Sequence, residues 1–400
     1  MPESPIRKLS PFAEKAVNAG KHVYHLNIGQ PDIETPANML EAIKHIDFKI
    51  WAYTESEGTQ PYRNKLATYY QKVGYDINAD DIIVTTGGSE AINITFMTCL
   101  DAGDEVIVPE PFYANYNGFA NQSDVVIRPV LSRIENGFAL PLIADFEKAI
   151  TARTRAIFIC SPNNPTGYVY SRQEMEALKE LVLKHDLYLF ADEAYREFCY
   201  GDQEFVSPMH LTGLKDHAII IDTVSKRYSA CGARLGCILT KNKQVWKTAL
   251  KFAQARLSAG MVEQIAGAAA IDTPDEYFVK VKAEYNARRD VLVNALNKME
   301  GVYCPNPGGA FYVMPRLPID DADKFCRWML EEFSHENKTV MMAPGSGFYS
   351  TPGAGKNEVR MAYVINVDDL KAAMQCLEIA LKEYPGRTVG KEQLIISTSN

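Results

Sequence analysis

The 400-residue sequence has no run of about 18 apolar residues, so no membrane-spanning helix is expected. It also lacks positive charge. Forty-two Lys and Arg face 50 Asp and Glu, a net charge of −8, which argues against nonspecific nucleic-acid binding. The segment Met1-Pro2-Glu3-Ser4-Pro5 is polar and has no apolar signal-peptide core, so a cytoplasmic protein is expected. None of the eight cysteines stands in a C-x-x-C pair, and none of the seven histidines in H-E-x-x-H. The cysteines read as reduced core thiols, and no metal site is expected. No G-x-x-x-x-G-K-[ST] loop is present, which argues against a nucleoside triphosphate. Internal repeats and low-complexity linkers are absent too.

What is present is enough chain for a large core and two domains, with 46% hydrophobic residues. Seven short apolar runs read as strands: 82–86, 105–109, 125–131, 156–160, 188–191, 219–223 and 235–240. Amphipathic segments such as 174–185 lie between most of them. That alternation predicts an α/β fold, with a mostly parallel seven-stranded sheet covered on both faces. The last two strands are joined by a segment too short for a crossover helix, which allows an antiparallel pair. Beyond Thr240 the pattern turns helical, and Pro274 opens a long helix. Pro305-Asn306-Pro307-Gly308-Gly309 then introduces short strands and two helices, at 320–334 and 367–384. The expected division is an N-terminal arm (1–38) packing with the small domain, a large domain (39–275), and an interdomain helix with a smaller α+β domain (276–400). The first 35 residues show no strand–helix unit, and the tail after Tyr384 reads as loosely held.

The chemistry-bearing residues follow predicted strands, where open parallel sheets place their ligand crevice. Ala218-Ile219-Ile220-Ile221 leads into Thr223-Val224-Ser225-Lys226, with Arg234 eight residues beyond the lysine. A desolvated lysine at a strand end loses its preference for the ammonium form and becomes a nucleophile. Thr223, Ser225 and Arg234 add an anion-binding set beside it. Gly87-Gly88-Ser89-Glu90 turns a strand into a helix, whose free amides suit a phosphate. The rigid loop Ser161-Pro162-Asn163-Asn164-Pro165 presents Asn164. Asp192 ends an apolar strand, where a carboxylate is costly unless it meets a cation, and Tyr195 follows one turn later. Arg360 lies in a short apolar strand and needs an anionic partner. Each has an ordinary alternative: a solvated lysine, a plain helix start, an Asn-Pro turn, a helix N-cap, an internal ion pair. One ligand satisfies them all, because pyridoxal phosphate brings an aldehyde, a ring nitrogen, a ring hydroxyl and a phosphate.

Together, N-N-P-T-G, D-E-A-Y and S-K-x₇-R-x-G, in this order, resemble the class I/II aminotransferases of the fold type I group of pyridoxal-phosphate enzymes. The resemblance runs from Gly29, in Asn27-Ile28-Gly29-Gln30-Pro31-Asp32, to Arg360. It implies Lys226 as the Schiff-base lysine, Asp192 on the pyridinium nitrogen, and Asn164 and Tyr195 on the ring oxygen. It implies Gly88, Ser89, the Glu90 backbone, Thr223, Ser225 and Arg234 around the phosphate. Tyr53 matches a tyrosine that reaches the phosphate of a neighbouring subunit, which implies a homodimer with shared sites. Arg360, helped by the Gly29 backbone and Asn164, is implied for the substrate α-carboxylate. The sequence departs from the pattern where relatives often stack tryptophan on the cofactor, since Pro111-Phe112 is followed by Tyr113. Gln30 stands for the common glutamate. Arg256 occupies a segment where relatives carry small polar residues, and is a candidate for a substrate side-chain carboxylate, in the partner's site or as a surface residue. The implied activity is transfer of an amino group between an amino acid and a 2-oxo acid, with aspartate and glutamate, oxaloacetate and 2-oxoglutarate favoured. Neutral or aromatic substrates, or a lyase or decarboxylase on the same scaffold, are the alternatives.

Overall fold

The computed structural model describes residues 4–389, so the end of the polar tail lies outside the described residues. Its centre is a seven-stranded sheet in the order Ile82–Thr85, Gly236–Leu239, Ala218–Thr223, Tyr188–Asp192, Thr154–Cys160, Glu105–Glu110, Val126–Leu131. Each candidate strand is present, shifted by at most two residues at an end. Gly236–Leu239 runs antiparallel to both neighbours, and the other pairings are parallel. The reason is the short link before it: one helical turn, Val224–Arg227, and one 3₁₀ turn, Cys231–Ala233. Neither is long enough to cross the sheet.

Apolar runs rather than alternating ones mark these strands because both faces are covered. Ile219 and Ile221 enter one core, while Ala218 and Ile220 enter the other. Phe158 and Phe190 likewise oppose Ile157 and Leu189. The covering helix Arg172–His185 begins with a capping box. Ser171 accepts from Glu174 N (3.2 Å), and Glu174 accepts from Ser171 N (2.7 Å).

Pro274 N-caps the 22-residue helix Asp275–Leu296, which leads to the second layer. There Ala322–Glu331 and Val367–Glu383 pack on the strand Lys338–Met341, and a three-stranded antiparallel sheet is formed by Ala343–Pro344, Val359–Ala362 and Tyr312–Val313. The N-terminal segment was expected to lack a strand–helix unit. It holds a helix, Ser10–Asn18, and a strand, His22–His25, that pairs in parallel with Lys338–Met341. Pro11 fits the helix's first turn, where its missing N–H is not needed. Four residues give too little periodicity to announce a strand, and the partner lies at the far end of the chain. Among the described residues no helix is long and apolar enough to cross a membrane.

Candidate active site

The parallel strands discharge their C-terminal ends at one edge of the sheet. Ala218–Thr223 delivers Thr223, Ser225 and Lys226, Tyr188–Asp192 delivers Asp192, and Ile82–Thr85 delivers the turn into helix Gly87–Cys99. The loops after Thr154–Cys160 and Glu105–Glu110 bring Asn164 and Tyr113. Strand Val359–Ala362 and the segment around Gly29 supply the opposite wall. Gly29, Gly88, Ser89, Tyr113, Asn164, Asp192, Tyr195, Thr223, Ser225, Lys226, Arg234 and Arg360 all line this cleft of ≈ 520 Å³.

Thr223 caps the turn that carries Lys226, its hydroxyl accepting from Ser225 N at 3.2 Å. Lys226 Nζ donates to Gly29 O at 2.8 Å and lies 3.6 Å from Cys231 Sγ. Burial lowers the Lys226 pKa from its ordinary value, against an upward pull from Cys231, and Arg360 and Arg234 lower it further. Asp192 is buried, and burial pushes its pKa up. Tyr116 Oη (2.7 Å) and Ala194 N (3.1 Å) donate to its two oxygens and oppose that shift. No helix follows Asp192, only turns, and among the described residues it makes no ion pair. The helix-cap alternative therefore leaves its charge unmatched.

At the other end of the cleft three glycines let backbone segments meet. A Cβ on Gly87 (φ +79°) would lie 2.4 Å from Arg234 Nη2, and one on Gly236 would lie 2.7 Å from the Gly87 carbonyl carbon. Gly88 abuts Thr223, and the Thr223 and Ser225 hydroxyls are 2.8 Å apart. The N-terminus of helix Gly87–Cys99, two hydroxyls and Arg234 thus converge, a set suited to a phosphate.

Arg360 is 2% exposed. It donates to Asn164 Oδ1 (3.0 Å) and Asn27 O (2.5 Å), and stands over the rings of Tyr312 and Phe348. Its Nε has no partner, and among the described residues no carboxylate pairs with it. The internal ion pair that would have made it structural is not there.

Three expected residues stand apart from the cleft lining. Glu90 turns back to accept from Thr86 N at 2.6 Å. Tyr53 is 79% exposed. Arg256 donates to the carbonyls of Ser56 (3.1 Å) and Val84 (3.2 Å) and approaches Glu90 at 3.5 Å, so it makes no contact in its own chain's cleft. The cleft also holds residues that no motif announces. Tyr312 Oη lies 2.9 Å from Tyr195 Oη, and a Cβ on Gly29 would overlap it, 1.8 Å away. Its signal is the Gly-Gly-Ala-Phe-Tyr run at 308–312, which by itself reads only as a turn before a strand. Tyr116, outside the lining, opens the helix Tyr116–Gln122 and donates to Asp192 from behind it. Arg7 also lines the cleft, from a segment that carries no motif.

A desolvated amine, an unmatched buried carboxylate, an anion cradle and an unpaired buried arginine fit pyridoxal phosphate and an amino-acid substrate. The fold and this site define a transaminase of the aminotransferase class I and II family, to which the chain belongs, its residues 21–377 matching the family model. It is 31% identical over 385 residues to the aspartate aminotransferase of Pyrococcus horikoshii, covering 95% of each chain. To that of Thermotoga maritima it is 31% identical over 382 residues, covering 94% of this chain and 96% of the relative. The solved aspartate aminotransferase of Thermus thermophilus with maleate is similar at TM-score 0.86 and 28% identity, over 95% of this chain and 97% of that one. The alanine aminotransferase of Pyrococcus furiosus is similar at TM-score 0.88 and 31% identity, over 95% and 98%. The fold is that of the fold type I enzymes, and the chain is a pyridoxal-phosphate-dependent aminotransferase.

Proposed function

We propose that this aminotransferase works on aspartate and glutamate with oxaloacetate and 2-oxoglutarate. The observation that carries this reading is the surplus of cations in the cleft. Arg7, Lys226, Arg234 and Arg360 line it, against Asp192 and an Asp222 already engaged by Arg196 and Arg227. A phosphate and an α-carboxylate account for two arginines, and one remains for a second substrate carboxylate. The names of the Pyrococcus and Thermotoga relatives point the same way.

Pyridoxal phosphate, when bound, supplies an aldehyde that takes up the amino group and a ring that withdraws electrons. In this reading Lys226 holds it covalently, Asp192 keeps a proton on the ring nitrogen, and Asn164 and Tyr195 bond the ring oxygen. Tyr113 covers the ring face. Gly88, Ser89, the Glu90 backbone, Thr223, Ser225 and Arg234 hold the phosphate. Arg360, with Asn164 and the Gly29 backbone, orients the substrate by its α-carboxylate. Lys226 Nζ, whose pKa burial lowers, takes the proton from the substrate Cα and later returns it. The tyrosine pair 195 and 312 stays protonated, since burial raises both phenols.

The same reading makes the protein a cytoplasmic homodimer of amino-acid metabolism, with an N-terminal arm to residue 38 and a domain boundary near 275. All eight cysteines are free thiols, as a reducing compartment keeps them. Ile50, Trp51 and Tyr53 are 78%, 69% and 79% exposed, an apolar strip that a second copy covers while Tyr53 reaches the neighbouring phosphate. Stopped-flow spectra of the loaded enzyme with each amino acid test the substrate: aspartate and glutamate convert the bound cofactor fastest, and faster conversion by alanine or phenylalanine rejects the reading. Mixing inactive Lys226→Ala and Tyr53→Ala chains restores activity if sites are shared. A fully active monomer on sizing rejects that arrangement.

A further inference from the structure

We propose that Arg7, on the N-terminal turn, binds the side-chain carboxylate of a dicarboxylic substrate. This rests on the acidic-substrate reading and names the residue that would produce it. The other cations of the cleft are committed. Lys226 is bonded to Gly29 O, Arg360 to Asn164 and Asn27, and Arg234 is packed against Gly87. Arg7 lines the same cleft and is exposed. Among the described residues its side chain makes no hydrogen bond and no ion pair.

Its backbone, in contrast, is fixed. Ser4 O accepts from Arg7 N (3.1 Å) and Lys8 N (3.0 Å), closing a turn. Pro5 packs on Gly347, where a Cβ would come within 2.2 Å of it. Ile6 packs against the cluster of Ala114, Phe138 and Phe348. Leu9 is buried, and Lys8 pairs with Asp323, which also accepts from Ser346 Oγ at 2.6 Å. A pinned turn thus presents one uncommitted guanidinium at the mouth of the cleft. Tyr113 feels the charges of both Arg360 and Arg7, each opposing the upward shift that burial gives its phenol. All three residues line the one cleft, Arg360 buried and Arg7 exposed. A substrate whose α-carboxylate meets Arg360 brings its side chain into the same cleft, where the planar fork of Arg7 matches a carboxylate.

The exposure of Arg7 sets the form of the selectivity. A neutral side chain leaves Arg7 in water at no cost, so Arg7 raises the rate for acidic substrates without rejecting others. A partly screened ion pair closed by the substrate is worth roughly tenfold in kcat/KM.

The test is kcat/KM for aspartate, glutamate, alanine and phenylalanine in the wild type, Arg7→Ala, Arg7→Lys and Arg256→Ala, with spectral titration of the holoenzyme by succinate and by propionate. Arg7→Ala is expected to lose about tenfold for aspartate and glutamate, keep alanine and phenylalanine unchanged, and weaken succinate about tenfold but not propionate. Arg7→Lys is expected to recover part of that loss, because it keeps the charge and not the fork. A wild type that prefers acidic substrates while Arg7→Ala keeps the preference overturns the role of Arg7 and leaves the acidic-substrate reading standing. So does loss of the preference in Arg256→Ala alone. A wild type with no acidic preference overturns both.

Discussion

Arg360→Ala separates a substrate-binding arginine from a structural one. The guanidinium is buried, holds only two uncharged acceptors, and leaves Nε unpartnered. A fork in that state binds an incoming carboxylate with two charge-assisted hydrogen bonds, each worth about 1.5–3 kcal/mol. Their loss predicts a fall of roughly a hundred- to ten-thousandfold in kcat/KM. Because every amino acid carries an α-carboxylate, the fall is the same for aspartate, alanine and phenylalanine. Stability answers differently. The substitution leaves Asn164 Oδ1 and Asn27 O without donors, about 1 kcal/mol each, and it removes a buried cation that no carboxylate neutralises. These offset, so the melting temperature of the cofactor-free protein stays within a few degrees of wild type. Steady-state kinetics on three amino acids and a thermal melt suffice. A loss below tenfold, or one that tracks a collapse in melting temperature, refutes the assignment. Arg360→Lys falls between, because an ammonium keeps the charge and loses the fork.

Borohydride reduction is expected to fix the cofactor on Lys226. Label on another lysine, or turnover in Lys226→Ala within a hundredfold of wild type, removes it from the reaction. Asp192→Asn keeps cofactor and fold but slows Cα deprotonation, read from a substrate deuterium isotope effect, since an amide cannot hold a proton on the ring nitrogen. Near-normal transamination would leave Asp192 as a turn cap to Ala194. Glu105 is fully buried and takes Arg128 (2.7 Å), Arg153 (2.9 Å) and Thr151 (2.6 Å), and the Arg128 hydrogen bond leads in holding its pKa at about 2 against the burial penalty. A depressed carboxylate stabilises the fold above its ordinary 4.5 and loses that contribution as pH falls toward about 2. Glu105→Gln therefore costs about 1–2 kcal/mol at neutral pH, discounted because both arginines are partly exposed. In denaturant titrations the gap to wild type narrows below pH 4.5. A gap that widens there contradicts the ion-pair account.

The sheet was legible because its strands are buried on two faces. A continuous apolar run such as Ala218-Ile219-Ile220-Ile221 is too short for a core helix and too apolar for a half-exposed strand. Gly236–Leu239 was legible even as an antiparallel candidate, since the length of its link limits the crossing. The second layer was not, because Tyr312–Val313 and Ala343–Pro344 are two residues each and take their identity from a partner strand. His22–His25 fails the same way. In the site, residues following a strand could be placed by the rule that ligands gather at strand ends. Arg256 shows where that rule stops: it ends a helix, and the direction of its side chain depends on the carbonyls of Ser56 and Val84, which no local pattern reveals. Arg7 and Tyr312 depend on tertiary packing in the same way, one through Gly347 and Phe348, the other through Gly29.

Sequence neighbours of the site residues anchor the backbone of the cleft. Glu193 follows Asp192, Arg227 follows Lys226, and Asp222 precedes Thr223. All three are buried in one network. Asp222 accepts from Tyr70 (2.7 Å), Arg196 (2.8 Å) and Arg227, and despite the burial penalty the two arginines hold its carboxyl below the usual range. Glu193 takes Arg196 (2.8 Å), Tyr75 (2.5 Å) and Ser207 (2.5 Å), and Glu197 takes Arg227 (2.7 Å) and Tyr69. An apolar core of the same volume would be as stable or more so, so burial alone does not account for these charges. Their directionality does. Hydrogen bonds fix orientation where apolar packing tolerates a shift, and each of these is anchored one residue from a group that must meet the ligand within a few tenths of an ångström. Breaking one partner strands a buried charge at about 3–5 kcal/mol. The backbone under Asp192, Thr223 and Lys226 is therefore held by interactions too costly to rearrange.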